Sequence, residues 1–306
     1  MKLLASLKLT LVGLAALGLG VLWGTAWAIA APLVLLAANL GAAVLVNPVF
    51  RTQLPLLVFH LALVFLVGLA AAGRLTYLKG RVELSTGEAF SGALAHEDAG
   101  PLHRSRLRAI SFTNEGFSIS YSAGLNRNET RNRVSWAHGQ KVIGDQEPLQ
   151  LAGYRFYTSS NKGFAPVVAW RAPDGSVHRG TIHLPSYPMY DYRQAQEWTP
   201  PAASQALWLM LDFDEVLIDP DKRSEFRLPR EHRLVVRSGE SRAVLKPGDR
   251  LPVGGGELRY EGLTSWMGYN VFYDWTLPWM LAAALLATAS MGWHYWRKFS
   301  VQAWDA

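Results

Sequence analysis

The chain has 306 residues, half of them apolar and 18% charged, with no cysteine and a formal net charge of +6. The lack of cysteine excludes a disulfide scaffold, an iron–sulfur or thiolate zinc site, and thiol catalysis. The charge is no polyanion signature. Residues 74–276 hold 25 Lys+Arg against 23 Asp+Glu, while Lys2, Lys8, Arg51, Arg297 and Lys298 flank apolar runs, so no nucleic-acid partner is expected.

Residues 9–50 contain no charged side chain in 42 positions, and residues 52–73 add 22 whose one ionisable group is His60. Soluble helices of that length carry a polar face, so the lipid bilayer is the expected solvent. At 1.5 Å per residue the first run would extend roughly 63 Å, twice a hydrocarbon core of about 30 Å, so it must turn back. The pattern predicts helices over 9–23 and 28–46, with Gly24, Thr25 and Pro32 near the turn and Trp23 and Trp27 suited to an interfacial belt. Asn47-Pro48 ends the second helix, and Arg51 marks its edge. A third is predicted over 54–73, stopped by Arg74, and a fourth over 277–296, closed by Arg297-Lys298. The basic flanks place both termini in the cytoplasm and residues 74–276 outside the inner (plasma) membrane. Arg74, Lys79 and Arg81 run against this rule, from which long translocated domains are exempt. Ala26-Trp27-Ala28 has the form of a signal-peptide cleavage site, but a cleaved chain would start directly on another apolar helix, so an uncleaved anchor is expected.

Between the third and fourth helices the grammar is that of strands. Alternation is visible at 81–85, 117–121 and 258–260. Asp174-Gly175 reads as a turn between 167–170 and 176–184, as does Ser238-Gly239 between 234–236 and 243–245. Residues 203–211 read either as a short helix or as the lead into a strand. The expected fold is an integral membrane protein in three regions: a three-helix membrane region (1–73), an extracytoplasmic all-β domain, sandwich- or barrel-like (74–276), and a fourth transmembrane helix with a cytoplasmic tail (277–306).

An ionisable side chain in a spanning helix is a functional hypothesis by default. His60 could serve as a metal or haem ligand, or could hydrogen-bond a neighbouring helix, with Asn39 as the partner. His60 and His294 lie at depths differing by about 5 Å, and could approach if their helices are neighbours; an interfacial place beside Trp293, Tyr295 and Trp296 is the plainer reading of His294. Asp212 and Asp214 would share one strand face and invite calcium, but an EF-hand glycine and terminal glutamate are lacking, and a solvated strand edge is preferred. His178 and His183, five apart, would point to opposite faces of a strand; His96, His103, His138 and His232 are scattered. There is no HExxH and no GxSxG. Gly254-Gly255-Gly256 reads as a turn rather than a P-loop, so no catalytic residue and no protein metal site are expected. Trp266, Tyr269, Phe272, Tyr273, Trp275 and Trp279 crowd the approach to the fourth helix and read as an interfacial anchor before a porphyrin rim.

Several stretches resemble one family. Leu4-Ala5-Ser6-Leu7-Lys8-Leu9-Thr10, Phe59-His60-Leu61-Ala62-Leu63, Leu84-Ser85-Thr86-Gly87-Glu88, the run from Pro148 to Tyr157, and Gly268-Tyr269-Asn270 with Asp274 are similar to elements of the ResB/CcsB proteins of System II cytochrome c biogenesis. The resemblance implies a membrane subunit that handles haem with a ResC/CcsA-like partner and presents it to apocytochrome c, at most co-catalytic in a haem lyase. It implies haem as cofactor, shared with the partner, with His60 as a ligand; His294 is a further candidate on the depth argument alone. The chain is short for the family and lacks the partner's tryptophan-rich segment. Two other readings stay open: a haem-free assembly factor that binds a partner protein through the β domain, and a metal sensor using Asp212 and Asp214.

Overall fold

The computed structural model describes residues 3–188, 193–203 and 205–300. They fall into two compact units. A helical unit takes Met1–Lys79, Glu97–Ser105 and Phe272–Ala306, and a sheet unit takes Gly80–His96 and Arg106–Val271.

The helical unit comprises α1 (Leu7–Trp23), α2 (Ala26–Val46), the four-residue α3 (Val49–Thr52), α4 (Leu54–Thr76) and α5 (Leu277–Phe299). Two caps placed back to back make the turn between α1 and α2. Gly24 adopts φ +77° and donates its N–H to the Gly20 carbonyl at 3.0 Å, and Thr25 then accepts the Ala28 amide at 3.3 Å. A Cβ on Gly20 would stand 2.0 Å from the Ala28 carbonyl oxygen, so the two backbones can touch only because the residue is glycine. Pro32, four residues beyond Ala28, has no N–H to offer that oxygen. The segment read as a cleavage site is thus the first turn of α2.

Asn39 ties α2 to the start of α1. It accepts from the Thr10 hydroxyl at 2.7 Å and donates to the carbonyls of Leu4 and Ser6. α4 packs against α2 and α5. At its C-terminal end Arg74 donates to the Gly24 carbonyl at 3.0 Å, and a Cβ on Gly73 would meet the Thr276 hydroxyl at 2.8 Å. This end therefore holds the α1–α2 turn and the start of α5. The opposite end gathers Lys8, Arg51, Arg297 and Lys298. Two helices, α2 and α4, are long and apolar enough to cross a membrane. α1 is apolar but has 17 residues, and α5, with 23, is more polar because of its tryptophans, Thr288, Ser290 and His294.

Three antiparallel-rich sheets form among the described residues, most of their strands in the sheet unit. The seven-stranded one follows the order β2 (His96–Ala99), β1 (Leu78–Ser85), β15 (Gly256–Tyr273), β7 (Tyr154–Arg171), β6 (Leu149–Leu151), with β14 (Arg250–Val253) on β15 and β8 (Val177–Thr181) on β7. A four-stranded sheet orders β13 (Ser241–Leu245), β12 (Arg233–Ser238), β10 (Leu207–Asp212) and β9 (Ala195–Trp198). The third orders β11 (Ser224–Glu225), β3 (Thr113–Ser122), β4 (Asn126–Trp136) and β5 (Gly139–Ile143). β7 and β15, 18 residues each, serve two cores. Val168, Trp170, Leu258 and Tyr260 pack with Leu209, Leu234, Val236 and Leu245, while Phe156 and Tyr269 meet Phe112, the residue just before β3.

The expected turns form. Asp174-Gly175 lies between β7 and β8, Gly239 between β12 and β13, and Gly254-Gly255, at φ +60° and +81°, between β14 and β15. From Leu207 the ambiguous run is strand; Ser204 within it lies outside the described residues. The anchor reading of the aromatics needs correction. Trp266 and Tyr269 are buried in the sheet unit, because β15 continues far beyond the alternation seen at 258–260. Trp275 and Trp279 are exposed on the helical unit.

Candidate functional site

His60 lies on α4, six residues from its start, and is half-buried. Its Nδ1 is 2.7 Å from the Leu56 carbonyl oxygen, which can only accept, so Nδ1 carries a proton and Nε2 is the nitrogen that holds the lone pair in the neutral ring. The ring is held by Phe50 of α3 at 4.6 Å and Phe59 at 5.2 Å between centroids. Asn39 is not its partner, since that amide is engaged with α1.

His294 lies elsewhere. It lines a pocket of about 430 Å³ with Thr52, Gln53, Pro55, Arg297 and Lys298, between the start of α4 and the end of α5. The two helices are neighbours, as the depth argument required, but His60 is five residues beyond Pro55, about 7.5 Å along α4, and does not line that pocket.

The short motifs of the sheet unit are explained by local geometry. In Leu84-Ser85-Thr86-Gly87-Glu88 the Glu88 carboxylate accepts the Ser85 amide at 2.8 Å while the Glu88 amide donates back to the Ser85 carbonyl at 3.0 Å. Gly87 supplies the φ of +86° that closes this turn. In the run from Pro148 to Tyr157, Ala152-Gly153 at φ +49° and +85° turns β6 into β7, and Tyr154 and Phe156 are fully buried. A Cβ on Gly268 would lie 2.6 Å from the Ser159 hydroxyl, and Tyr269 donates to Asn132 at 2.8 Å. Asp274 accepts the amide and hydroxyl of Thr276, the residue just before α5.

A polar chain that the sequence did not reveal runs across β1. The Ser85 hydroxyl is 2.7 Å from that of Thr181 and 2.9 Å from His183 Nε2, and His183 Nδ1 is 3.2 Å from Glu83. The order serine, histidine, carboxylate imitates a hydrolase triad. Nucleophilic use has two obstacles: Ser85 is 3% exposed, and the amides around it are committed, Ser85 to Glu88, Thr86 to Ser265 and Gly87 to Asn114. None of these three amides is left to serve as an oxyanion donor. Near a cleft of about 760 Å³, Asp212 and Asp214 both meet the Arg233 guanidinium, at 3.0 and 3.2 Å. Their charge is thus directed at a cation of the chain itself, and no group of three or more metal-ligating side chains forms among the described residues.

Two helices long and apolar enough to cross a membrane, in one chain with a three-sheet unit, define the class: a sheet-rich protein with candidate membrane helices. A profile described as the ResB-like family matches residues 52–301, and the chain belongs to that family. A solved structure named cytochrome c heme lyase CcmF is similar at 14% identity and a TM-score of 0.30, over 95% of this chain and 35% of that one. That likeness is too slight to bear on function. Curated proteins give no match.

Proposed function

We propose that the chain is a membrane subunit of a haem-delivery complex in cytochrome c biogenesis, acting with a ResC/CcsA-type partner that shares the haem and passes it to apocytochrome c. Membership of the ResB-like family supports the pathway. The observation that carries the haem assignment is the hydrogen bond of His60: its Nδ1–H is committed to the Leu56 carbonyl, so the ring, when neutral, would offer Nε2 to iron. Phe50 and Phe59 supply apolar contact of the kind a porphyrin needs. Haem is cargo in this scheme. The chain binds and orients it, and the thioether bonds form on the partner side.

In this reading all four long helices cross the inner membrane. The end holding Lys8, Arg51, Arg297 and Lys298 is cytoplasmic by the positive-inside rule, and the sheet unit is extracytoplasmic. A second ligand to the haem would come from the partner; His294, which lines a separate pocket, would be the alternative on this chain. In cells whose only copy carries His60→Ala, mature c-type cytochrome should fall by at least about tenfold at unchanged chain abundance, the usual scale for losing a metal-site group. Wild-type cytochrome levels in that strain would overturn the assignment.

A further inference from the structure

The pocket at the basic end of the helical unit has a donor set of one kind. Arg297 and Lys298 lie three and four residues after His294, so the three share one face of α5, and that face closes over Thr52, Gln53 and Pro55. Neither cation has an acidic partner among the described residues, and no acid lines the pocket. The described acids of this unit are Glu97, Asp98 and Asp274. Asp98 accepts from the Tyr77 hydroxyl and Asp274 from the Thr276 hydroxyl, both at the far end of α4, a helix of 23 residues and so about 35 Å long. Two cations, the Gln53 amide and an imidazole therefore line about 430 Å³ with no acidic side chain of the described residues near them. The start of α4, the positive end of its dipole, borders the same space.

From this we infer that the pocket between the start of α4 and the end of α5 binds a phosphate-bearing anion, held by Arg297, Lys298 and Gln53. Arg297 offers paired N–H donors to two phosphate oxygens, and Lys298 a point charge. Such a phosphate could come from an anionic lipid headgroup or from solution. The inference rests on the membrane reading of α4 and α5 but not on haem.

The test uses the full chain purified in detergent, titrated with phosphatidylglycerol or phosphatidylcholine in mixed micelles, with bound lipid counted by native mass spectrometry. Phosphatidylglycerol should bind preferentially. R297Q with K298Q should weaken it about 25-fold, at about fivefold per cation removed. K8Q, a cation outside the pocket, should bind as the parent does. Inorganic phosphate that competes with the lipid would identify solution as a sufficient source, and failure to compete would identify the lipid. Equal binding of the two lipids, or an equal loss in K8Q, would overturn the inference. A surviving Soret band alongside lost lipid selectivity would strike this site alone; lost haem with retained selectivity would strike His60 alone.

Discussion

Lys162 shows how burial sets the chemistry of a single group. It is 5% exposed, donates to the Ser160 carbonyl at 3.2 Å and lies 5.5 Å from the centre of the Tyr121 ring. Desolvation, with Arg127 adding to it and Asp145 opposing, lowers its pKa from 10.5 to about 8. The unfolded chain therefore binds more protons between those values, so stability rises with pH through that window. Denaturant unfolding should show a gain of about 1 kcal/mol from pH 8 to 9, below the range in which tyrosines ionise, and no such gain in Lys162→Met. Above pH 10 the trend reverses, because burial raises the pKa of Tyr121 to about 12 and pushes Tyr269 up as well, while unfolded tyrosines ionise near 10. Tyr269→Phe removes the donor to Asn132, whose amide also binds Asn114 and the Gly116 carbonyl, and should cost about 1–3 kcal/mol in the same assay. His60 was legible in the sequence because it is the one ionisable group in its apolar run. Lys162 was not: Ser159-Ser160-Asn161-Lys162-Gly163 reads as a polar surface turn, and only pairing with distant strands buries it.

Helices were more legible than strands. Gly24, Thr25, Asn47-Pro48 and Arg74 are local stop and start signals, so the expected helices fall within three residues of α1, α2, α4 and α5. α3 was missed because four residues have no period. β7 and β15 were seen only in fragments. Their alternation is interrupted by glycines such as Gly163 and Gly268, which let one strand's backbone meet the other's side chains, a requirement set by partners about 100 residues away. The seam aromatics were misplaced for the same reason. A direct test of element packing is Gly20→Val. With the Ala28 carbonyl 2.0 Å from the new Cβ, α1 and α2 must separate, and thermal unfolding in detergent should show a loss of at least about 2 kcal/mol. Unchanged stability would mean that the two helices do not meet there.

At the scale of the molecule, charge separates the ends of the helical unit, and the family assignment gives that asymmetry a pathway. The short motifs that resemble the family divide by physical role. Those of the sheet unit build turns and close strand contacts, whereas in Phe59-His60 the ring is tied to its own helix through Nδ1, and Nε2 makes no hydrogen bond among the described residues. That contrast makes His60 the centre of the account. The most direct measurement is the absorption spectrum of the intact complex, chain and partner co-purified in detergent, for the parent and for His60→Gly with and without added imidazole. The account predicts a Soret band in the parent, its loss or marked shift in the variant, and its return with imidazole. A colourless parent complex, or a variant whose spectrum matches the parent's before imidazole is added, would contradict it.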